Sequence, residues 1–354
     1  MSNTPVDLRS DVVAQPTNGM RDAMRDAELG AYVDGDDPTV TKLERLGAQQ
    51  LGKEAALFLP TTTMGNLIAC LAYGKPGDQV LLDEDAHVYR HEVSGLSRLA
   101  GLLPRVLPRV GAAPDLDAVG RAVRYRESRE APIRLVWLEN THNVGGGAVV
   151  DPDTVRTLRA IIGQRDVAIH VDGARLFNAA VALSMQPSKL VADVDSVSLG
   201  FNKGLACPVG CLLVGSRKLI DSGIQLRRML GGRQVKAGVA AAACLIALES
   251  MVERLEDDHA MARRLAAGLQ DIHGLQLESP VVTNIVRLDT GGLGAAQQFA
   301  DALASRGVLV GVVSPTVIRA VTHYQITPDL VDHAIEAFRS TASTLALAHG
   351  APAS

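Results

Sequence analysis

Short apolar runs that end in polar residues recur along the first two thirds of the chain. "AALFLP" (55–60) leads into "TTTMGN", and "QVLLDEDAH" (79–87) ends in acids and a histidine. "IRLVWLENTHN" (133–143), "VAIHVDGARLF" (167–177) and "DSVSLGFNKG" (195–204) repeat the form. Each has the length of a buried strand bounded by turn residues. Between them the spacing predicts helices. In "PTVTKLERLGAQQLG" (38–52), Pro38 and Thr39 open a helix, and Val40, Leu43, Leu46 and Leu51 recur near helical spacing. "MGNLIACLAYG" (64–74) and "PDTVRTLRAIIGQR" (152–165) read the same way. Strands alternating with helices over 38–215 predict crossover units and a mainly parallel sheet, an α/β class.

From Lys236 the texture changes. Residues 236–270 form one long helical pattern that could join two subdomains. After it come "TNIVRLD" (283–289), "AAQQFADALASRG" (295–307), "VLVGVVSPTVIRAVT" (308–322) and "TPDLVDHAIEAFRSTASTLA" (327–346). Strand, helix, strands, helix predicts a smaller α+β domain of about 100 residues. The expected division is a large domain over 15–245 and a small one over 246–354, with residues 1–14 as an N-terminal arm.

At 354 residues two subdomains are the expected organisation. Aromatic residues make up only 3%, so the core must be built from Ala, Leu, Val and Ile. A net charge of −4, with no long basic run, argues against nucleic acid as a partner. The opening MSNTPVDLRSDVV lacks the layout of a secretory signal, and no apolar run approaches the ~20 residues needed to cross a bilayer. Cys70, Cys207, Cys211 and Cys244 lie among apolar or small residues; the CxxxC pair has no His or Cys partners nearby, so thiols of the core are expected and no metal. The chain reads as cytoplasmic and reduced.

In an open parallel sheet, ligands sit at the carboxyl ends of the strands. The polar residues collect there: Thr61–Thr63, Asp83–His87, Glu139–His142, Asp172–Arg175 and Asn202–Lys203. Lys203 stands alone in "DSVSLGFNKGLACPVGCLLVGS" (195–216), an otherwise apolar and small-residue run. A lysine there can snorkel to solvent, and a lone strand-end acid such as Asp172 can simply cap the next helix. Together, an Asp and then a Lys one strand further on form the arrangement that pyridoxal phosphate requires. The lysine forms a Schiff base with the aldehyde, and the carboxylate keeps the ring nitrogen protonated. A dry setting lowers the lysine pKa toward the neutral nucleophile, so Lys203 is expected to be buried.

At these residues the chain resembles the threonine aldolases, within the aspartate-aminotransferase-like fold type I of pyridoxal phosphate enzymes. The resemblance runs through "DLRSDVVAQPTNGMRDAM" (7–24), "DGDDPTVTKLE" (34–44), "LFLPTTTMGN" (57–66), "LENTHNVGGG" (138–147), "HVDGARLFNAAVAL" (170–183) and "NKGLACPVGCLLVGS" (202–216). It implies a seven-stranded sheet in a large cofactor domain, and an N-terminal arm that contributes to the site. Lys203 would be the Schiff-base lysine and Asp172 the pyridinium partner, with His87 stacked on the ring. Thr62 and Thr63 would cradle the phosphate with backbone N–H groups and a hydroxyl. Ser10, Arg175 and Arg319 would hold the substrate carboxylate. Read without the resemblance, Ser10 could be an N-cap, Arg319 a strand-face arginine, and His142 a residue that ties down its loop.

The chain departs from the family's pattern in four places. Thr61-Thr62-Thr63 replaces Ser-Gly-Thr, Asp34 stands where a tyrosine is common, and His91 stands where an aromatic is common. Val235 replaces an arginine of "RRMLGGRQVKAG" (227–238), leaving Arg233 or Lys236 to supply a phosphate contact that in the family crosses from a neighbouring subunit. Asp34 and His91 therefore join the expected substrate-binding residues. The reaction implied is retro-aldol cleavage of an L-β-hydroxy-α-amino acid to glycine and an aldehyde, with His87 or His142 taking the hydroxyl proton. The alternative is a β-eliminating lyase of the same fold. A nucleotide-binding module would need a GxGxxG or GxxxxGK[ST] loop, and neither is present. The resemblance also implies a homodimer or homotetramer with sites at the subunit interface.

Overall fold

The computed structural model describes residues 5–30, 35–124 and 130–348. It divides into two compact units: Pro16–Val252, and Met1–Gln15 together with Glu253–Ser354. The smaller unit opens the chain with β1 (Val6–Leu8). The larger unit then supplies β2 (Ala55–Leu59), β3 (Gln79–Asp83), β4 (Leu103–Leu107), the hairpin β5 (Arg109–Val110) and β6 (Ala113–Pro114), β7 (Ile133–Glu139), β8 (Ala168–Gly173), β9 (Ser196–Gly200) and β10 (Cys211–Gly215). Seven of these form one sheet in the order β2-β10-β9-β8-β7-β3-β4. The steps β9-β8, β8-β7, β7-β3 and β3-β4 are parallel, while β10 runs antiparallel to both neighbours. This is the mainly parallel α/β sheet that the alternating runs predict.

Strands β2, β9 and β10 are buried along their whole length and β3, β7 and β8 at all but one position, which is why they read as continuous apolar runs rather than alternating ones. Local signals place the covering helices. Asp37 caps Pro38–Gln50, Thr61 caps Thr62–Tyr73 and Asp151 caps Pro152–Ile162, each accepting from an N–H three residues on. The first and third helices also carry proline in the first turn, where no intrahelical N–H is lost. Thr62–Tyr73 lies close on the sheet: a Cβ on Gly65 would sit 2.7 Å from Ser198 Oγ and 3.3 Å from Cys211 Sγ. Gly65→Ala would gain ~1 kcal/mol of helix propensity but lose about 1–3 kcal/mol to overpacking. A lower urea midpoint is expected for this variant, with an unchanged slope.

The smaller unit has the sheet order β1-β13-β14-β12-β11, where β11 is Gln276–Leu277, β12 Ile285–Asp289, β13 Val308–Val312 and β14 Val317–Val321. The helices Leu255–Leu269, Ala296–Ala304 and Pro328–Ala348 share its core, including the Phe299 and Phe338 rings 5.8 Å apart. The helical pattern over 236–270 is two helices, Gly238–Ser250 and Leu255–Leu269, broken at the boundary between the units. That boundary falls after Val252, whereas a division at 245/246 would cut the first helix. The N-terminal division falls at Gln15/Pro16.

Candidate active site

The strand order brings the carboxyl ends of β3, β7, β8 and β9 side by side, and the polar residues singled out above lie there. On β8, His170 and Asp172 share a face by the two-residue strand period. Asp172 pairs in register with Glu139 on one side and Ser198 on the other. The Asp172 carboxylate is 2% exposed. Its Oδ1 accepts from the Ala174 N–H at 3.0 Å and its Oδ2 from Asn66 Nδ2 at 2.8 Å. An ionised carboxylate has about four lone-pair sites, so acceptor capacity remains.

Asn66 is a junction. Its amide nitrogen donates both to Asp172 and to Glu92 Oε1, each at 2.8 Å. Its Oδ1 lies 3.4 Å from His170 Nε2. His170 Nδ1 lies 2.7 Å from Ser196 Oγ, and Trp137 packs against the imidazole at 4.6 Å. Burial pushes the His170 pKa down to about 3, against the pull of Asp172, so the ring is neutral. Asn66 Oδ1 can only accept, which makes His170 Nε2 the donor and Nδ1 the acceptor.

His87 begins the one-turn helix His87–Arg90 and its side chain is 32% exposed. Its Nδ1 lies 2.9 Å from Glu92 Oε1, and its backbone N–H donates to Glu139 Oε2 at 3.0 Å. Nε2 has no hydrogen-bond partner among the described residues. Burial would lower the His87 pKa, but the bond to Glu92 and the charges of Asp172 and Glu92 outweigh it and the opposing Lys203 charge, so the net shift is upward. The ligand atoms of His87, Glu92 and Asp172 lie within 4.8 Å of one another, and the bonds through Asn66 account for that closeness.

His142 is placed differently. It is fully buried, its Nδ1 accepts from the Gly145 N–H at 3.0 Å, and its Nε2 lies 3.2 Å from Asp83 Oδ1. Burial opposes its charge, yet the Asp83 bond and the Glu139 and Asp83 carboxylates raise its pKa overall. With both ring nitrogens engaged, His142 ties down the 140–148 loop. Replacing it with Ala leaves the buried Asp83 carboxylate with only the Asp85 N–H on Oδ1 and deprives the Gly145 N–H of its acceptor. An expected loss of about 1–3 kcal/mol should appear in chemical denaturation.

Lys203 follows β9 in a tight loop in which Phe201 N–H donates to Gly210 O, Ala206 N–H to Lys203 O, and Cys207 N–H to Phe201 O. Phe201, Leu205 and Ala206 anchor that loop in the core, but Lys203 itself is only half-buried. The expectation of full burial is corrected here. The apolar neighbours in sequence fix the backbone, while the long side chain keeps partial contact with solvent.

Thr61 caps the helix Thr62–Tyr73 through its own hydroxyl, and the Thr62 hydroxyl bonds the Cys211 thiol. The backbone N–H groups of Thr62 and Thr63 donate to no described residue, so an anion can be held there. A Cβ at Gly200 would lie 2.9 Å from Thr62 Oγ1, so this helix start sits directly over the end of β9. Arg175, 5% exposed, donates from Nη1 to Asn143 Oδ1 at 3.1 Å. The Asn143 N–H in turn donates to Glu139 Oε1, which links Arg175 to the His87 support. His91 is exposed, its ring 5.3 Å from that of His87.

Arg233 and Lys236 line a separate hollow of about 200 Å³ with Asp36, Asp37 and Arg227, which does not include Lys203, His87 or Asp172. In the smaller unit, Ser10 caps the short 3-10 helix Asp11–Val13 by accepting from Val12 N–H. Arg319 lies on β14 opposite Arg287 and Gly311, with Nη2 3.4 Å from Arg9 O. Asp34 lies outside the described residues. Sequence reasoning missed Glu92 and Asn66, the two residues that connect His87 to Asp172.

A mainly parallel sheet with an acid ending one strand, a lysine beyond the next and an anion cradle at a helix start defines a fold type I pyridoxal phosphate enzyme. The residues fit that cofactor on three counts: spare acceptor capacity on Asp172, two unbonded N–H groups for a phosphate, and a lysine that is not sealed in the core. The family model described as beta-eliminating lyase matches residues 7–290. Low-specificity L-threonine aldolase 1 of Arabidopsis thaliana is 37% identical over 347 residues, covering 96% of this chain and 97% of that protein. The low specificity L-threonine aldolase of Escherichia coli K12 is 36% identical over 326 residues, covering 91% and 95%. A threonine aldolase structure from Leishmania major superposes with a TM-score of 0.84 at 19% identity, covering 96% and 100%, a likeness of fold. The chain belongs to the beta-eliminating lyase family and, within it, to the low-specificity L-threonine aldolases.

Proposed function

We propose that the protein cleaves L-β-hydroxy-α-amino acids, of the threonine, allo-threonine or β-aryl serine type, to glycine and an aldehyde. The observation that carries the reading is the hydrogen-bonded run His87–Glu92–Asn66–Asp172, which joins an unbonded imidazole nitrogen, itself within reach of the Lys203 charge, to a buried carboxylate. The names of the relatives favour aldol cleavage over β-elimination.

Pyridoxal phosphate, when bound, supplies an electron sink for the pair released as Cα–Cβ breaks. Asp172 accepts the hydrogen bond of a protonated ring nitrogen, and the Thr62 and Thr63 N–H groups bind the phosphate. Lys203 provides the amine that holds the cofactor. Arg175, steadied by Asn143, binds the substrate carboxylate and so sets which Cα bond is presented. His87 Nε2 takes the β-hydroxyl proton, the hydroxyl oxygen becomes the aldehyde carbonyl, and a proton returned to Cα gives glycine. His142 positions the loop rather than moving the proton. His91, exposed beside His87, contacts the β-substituent.

The resemblance supports further roles: Ser10 and Arg319 on the carboxylate, Asp34 on the substrate, and Arg233 or Lys236 on a phosphate of a neighbouring subunit in a homodimer or homotetramer. Four free buried cysteines suit a reducing cytoplasm. Among the described residues no helix is long and apolar enough to cross a membrane.

A product panel tests the proposal. L-threonine, L-allo-threonine and β-phenylserine should each yield glycine and the matching aldehyde in equal amounts. Ammonia with a keto acid as the main products would reject it.

A further inference from the structure

Glu92 lies five residues after His87, past the end of its one-turn helix, and the chain brings it back underneath. Val93 and Ser94 adopt left-handed backbone, φ 52° and 59°, a conformation that a β-branched residue rarely takes. Val93 is left 79% exposed while Glu92 is 8% exposed. That local strain is met by what Glu92 gains. Its Oε1 is reached by His87 Nδ1 at 2.9 Å and by Asn66 Nδ2 at 2.8 Å. A buried carboxylate without such partners would be strongly disfavoured.

We propose that Glu92 is the positioning residue of this site: its carboxylate accepts a hydrogen bond from the Nδ1–H of His87, so that the ring presents its lone pair at Nε2, and Asn66 ties that carboxylate to Asp172. This rests on the reading of His87 as the proton acceptor. The tautomer follows from the donor inventory. A carboxylate oxygen accepts from both Asn66 and His87, so Nδ1 carries the hydrogen and Nε2 is left as the acceptor. The alternative tautomer would aim an Nε2–H at the β-hydroxyl and turn a lone pair toward Glu92.

The second consequence is electrostatic. Facing His87 are Glu92, the more distant Asp172, the Lys203 ammonium, the Glu139 carboxylate at its backbone N–H, and the His91 ring. Facing Glu92 are His87, Asn66 and Asp172. The Cys70 and Cys211 thiols, which both feel its charge, have their pKa raised by burial and stay neutral. Burial, with the Asp172 charge, raises the Glu92 pKa against its two hydrogen bonds. Glu92 is thus a carboxylate with affinity for a proton beside an imidazole whose own affinity it increases. Asn66 lets Glu92 and Asp172 share one amide, each taking one hydrogen, which keeps two like charges at a fixed separation.

The test is ¹⁵N imidazole NMR of the cofactor-free and cofactor-loaded protein, with the His87 signal assigned by its loss in His87→Asn. The parent should give the Nδ1–H tautomer. Glu92→Gln should lower the His87 pKa by about one unit or more, the usual effect of losing an adjacent opposite charge. In kinetics the same variant should lose about 10- to 100-fold in kcat, at or below the lower end of the ~10²- to 10⁴-fold that a whole general base contributes, with KM little changed. The acidic limb of its pH profile should move to lower pH, because loss of the anion makes His87 easier to deprotonate. An Nε2–H tautomer in the parent overturns the proposal, and that reading does not depend on Glu92→Gln folding. So does an unchanged His87 titration in Glu92→Gln. A fall in activity with an unmoved limb and weakened cofactor binding would mark Glu92 as merely structural and also overturn it. Failure of the aldol reaction itself would leave the tautomer and titration results as they are, so the two readings fail separately.

Discussion

Lys203→Ala should fold, retain at most weak cofactor affinity, and lose turnover by about 10³-fold or more, the scale at which removal of a covalent group is felt in other enzymes. Lys203 sits half-buried at the end of a loop whose Phe201, Leu205 and Ala206 are anchored in the core, so removing its side chain leaves that anchoring intact. Borohydride treatment of the parent, followed by peptide mapping, should place the reduced cofactor on Lys203, and the variant should carry none. Labelling of another lysine in the parent would refute the assignment. The Lys203 charge also lowers the His87 pKa. The variant's His87 should therefore titrate higher, a change visible without any turnover.

Asp172→Ala should cost about 10²- to 10³-fold in kcat, comparable with removing one preorganised electrostatic partner of a transition state, and should weaken cofactor binding. The carboxylate does perform the modest task of receiving the Ala174 N–H. Yet a turn-capping acid has no need to be 2% exposed or to hold the Asn66 junction through its other oxygen. Near-normal turnover in Asp172→Ala would reduce it to a cap.

The chemistry-bearing strand ends were legible in the sequence because full burial turns a parallel strand into an apolar run with an abrupt polar end. Asp172, Lys203 and His87 stand out on that ground. β4 was not legible. It lies at the sheet edge as LPRVL, with Pro104 inside it and only Leu107 buried, so no apolar run marks it. The reversed direction of β10 was also hidden, since strand composition carries no sense of direction. The break between Ser250 and Leu255 has no Gly or Pro to announce it.

Within the site, the lysine's exposure could not be read from its neighbours, because apolar neighbours bury the backbone and not the tip of a long side chain. Glu92 was hidden by its five-residue spacing from His87, which matches no helical face. It depends on two left-handed residues of ordinary type, Val93 and Ser94. Asn66 reads as a polar residue in a helix, and its role appears only once the helix lies over β8. The two histidines are separated by geometry alone. Both ring nitrogens of His142 are engaged, and Nε2 of His87 is not.

The central claim is that the Cα–Cβ bond is the one that breaks, and the fate of the substrate nitrogen tests it most directly. L-Threonine labelled with ¹⁵N, incubated with the cofactor-loaded protein and followed by NMR, should deliver its label to glycine, with acetaldehyde formed in equal amount and no labelled ammonia. Label appearing as ammonia beside a four-carbon keto acid would contradict the account.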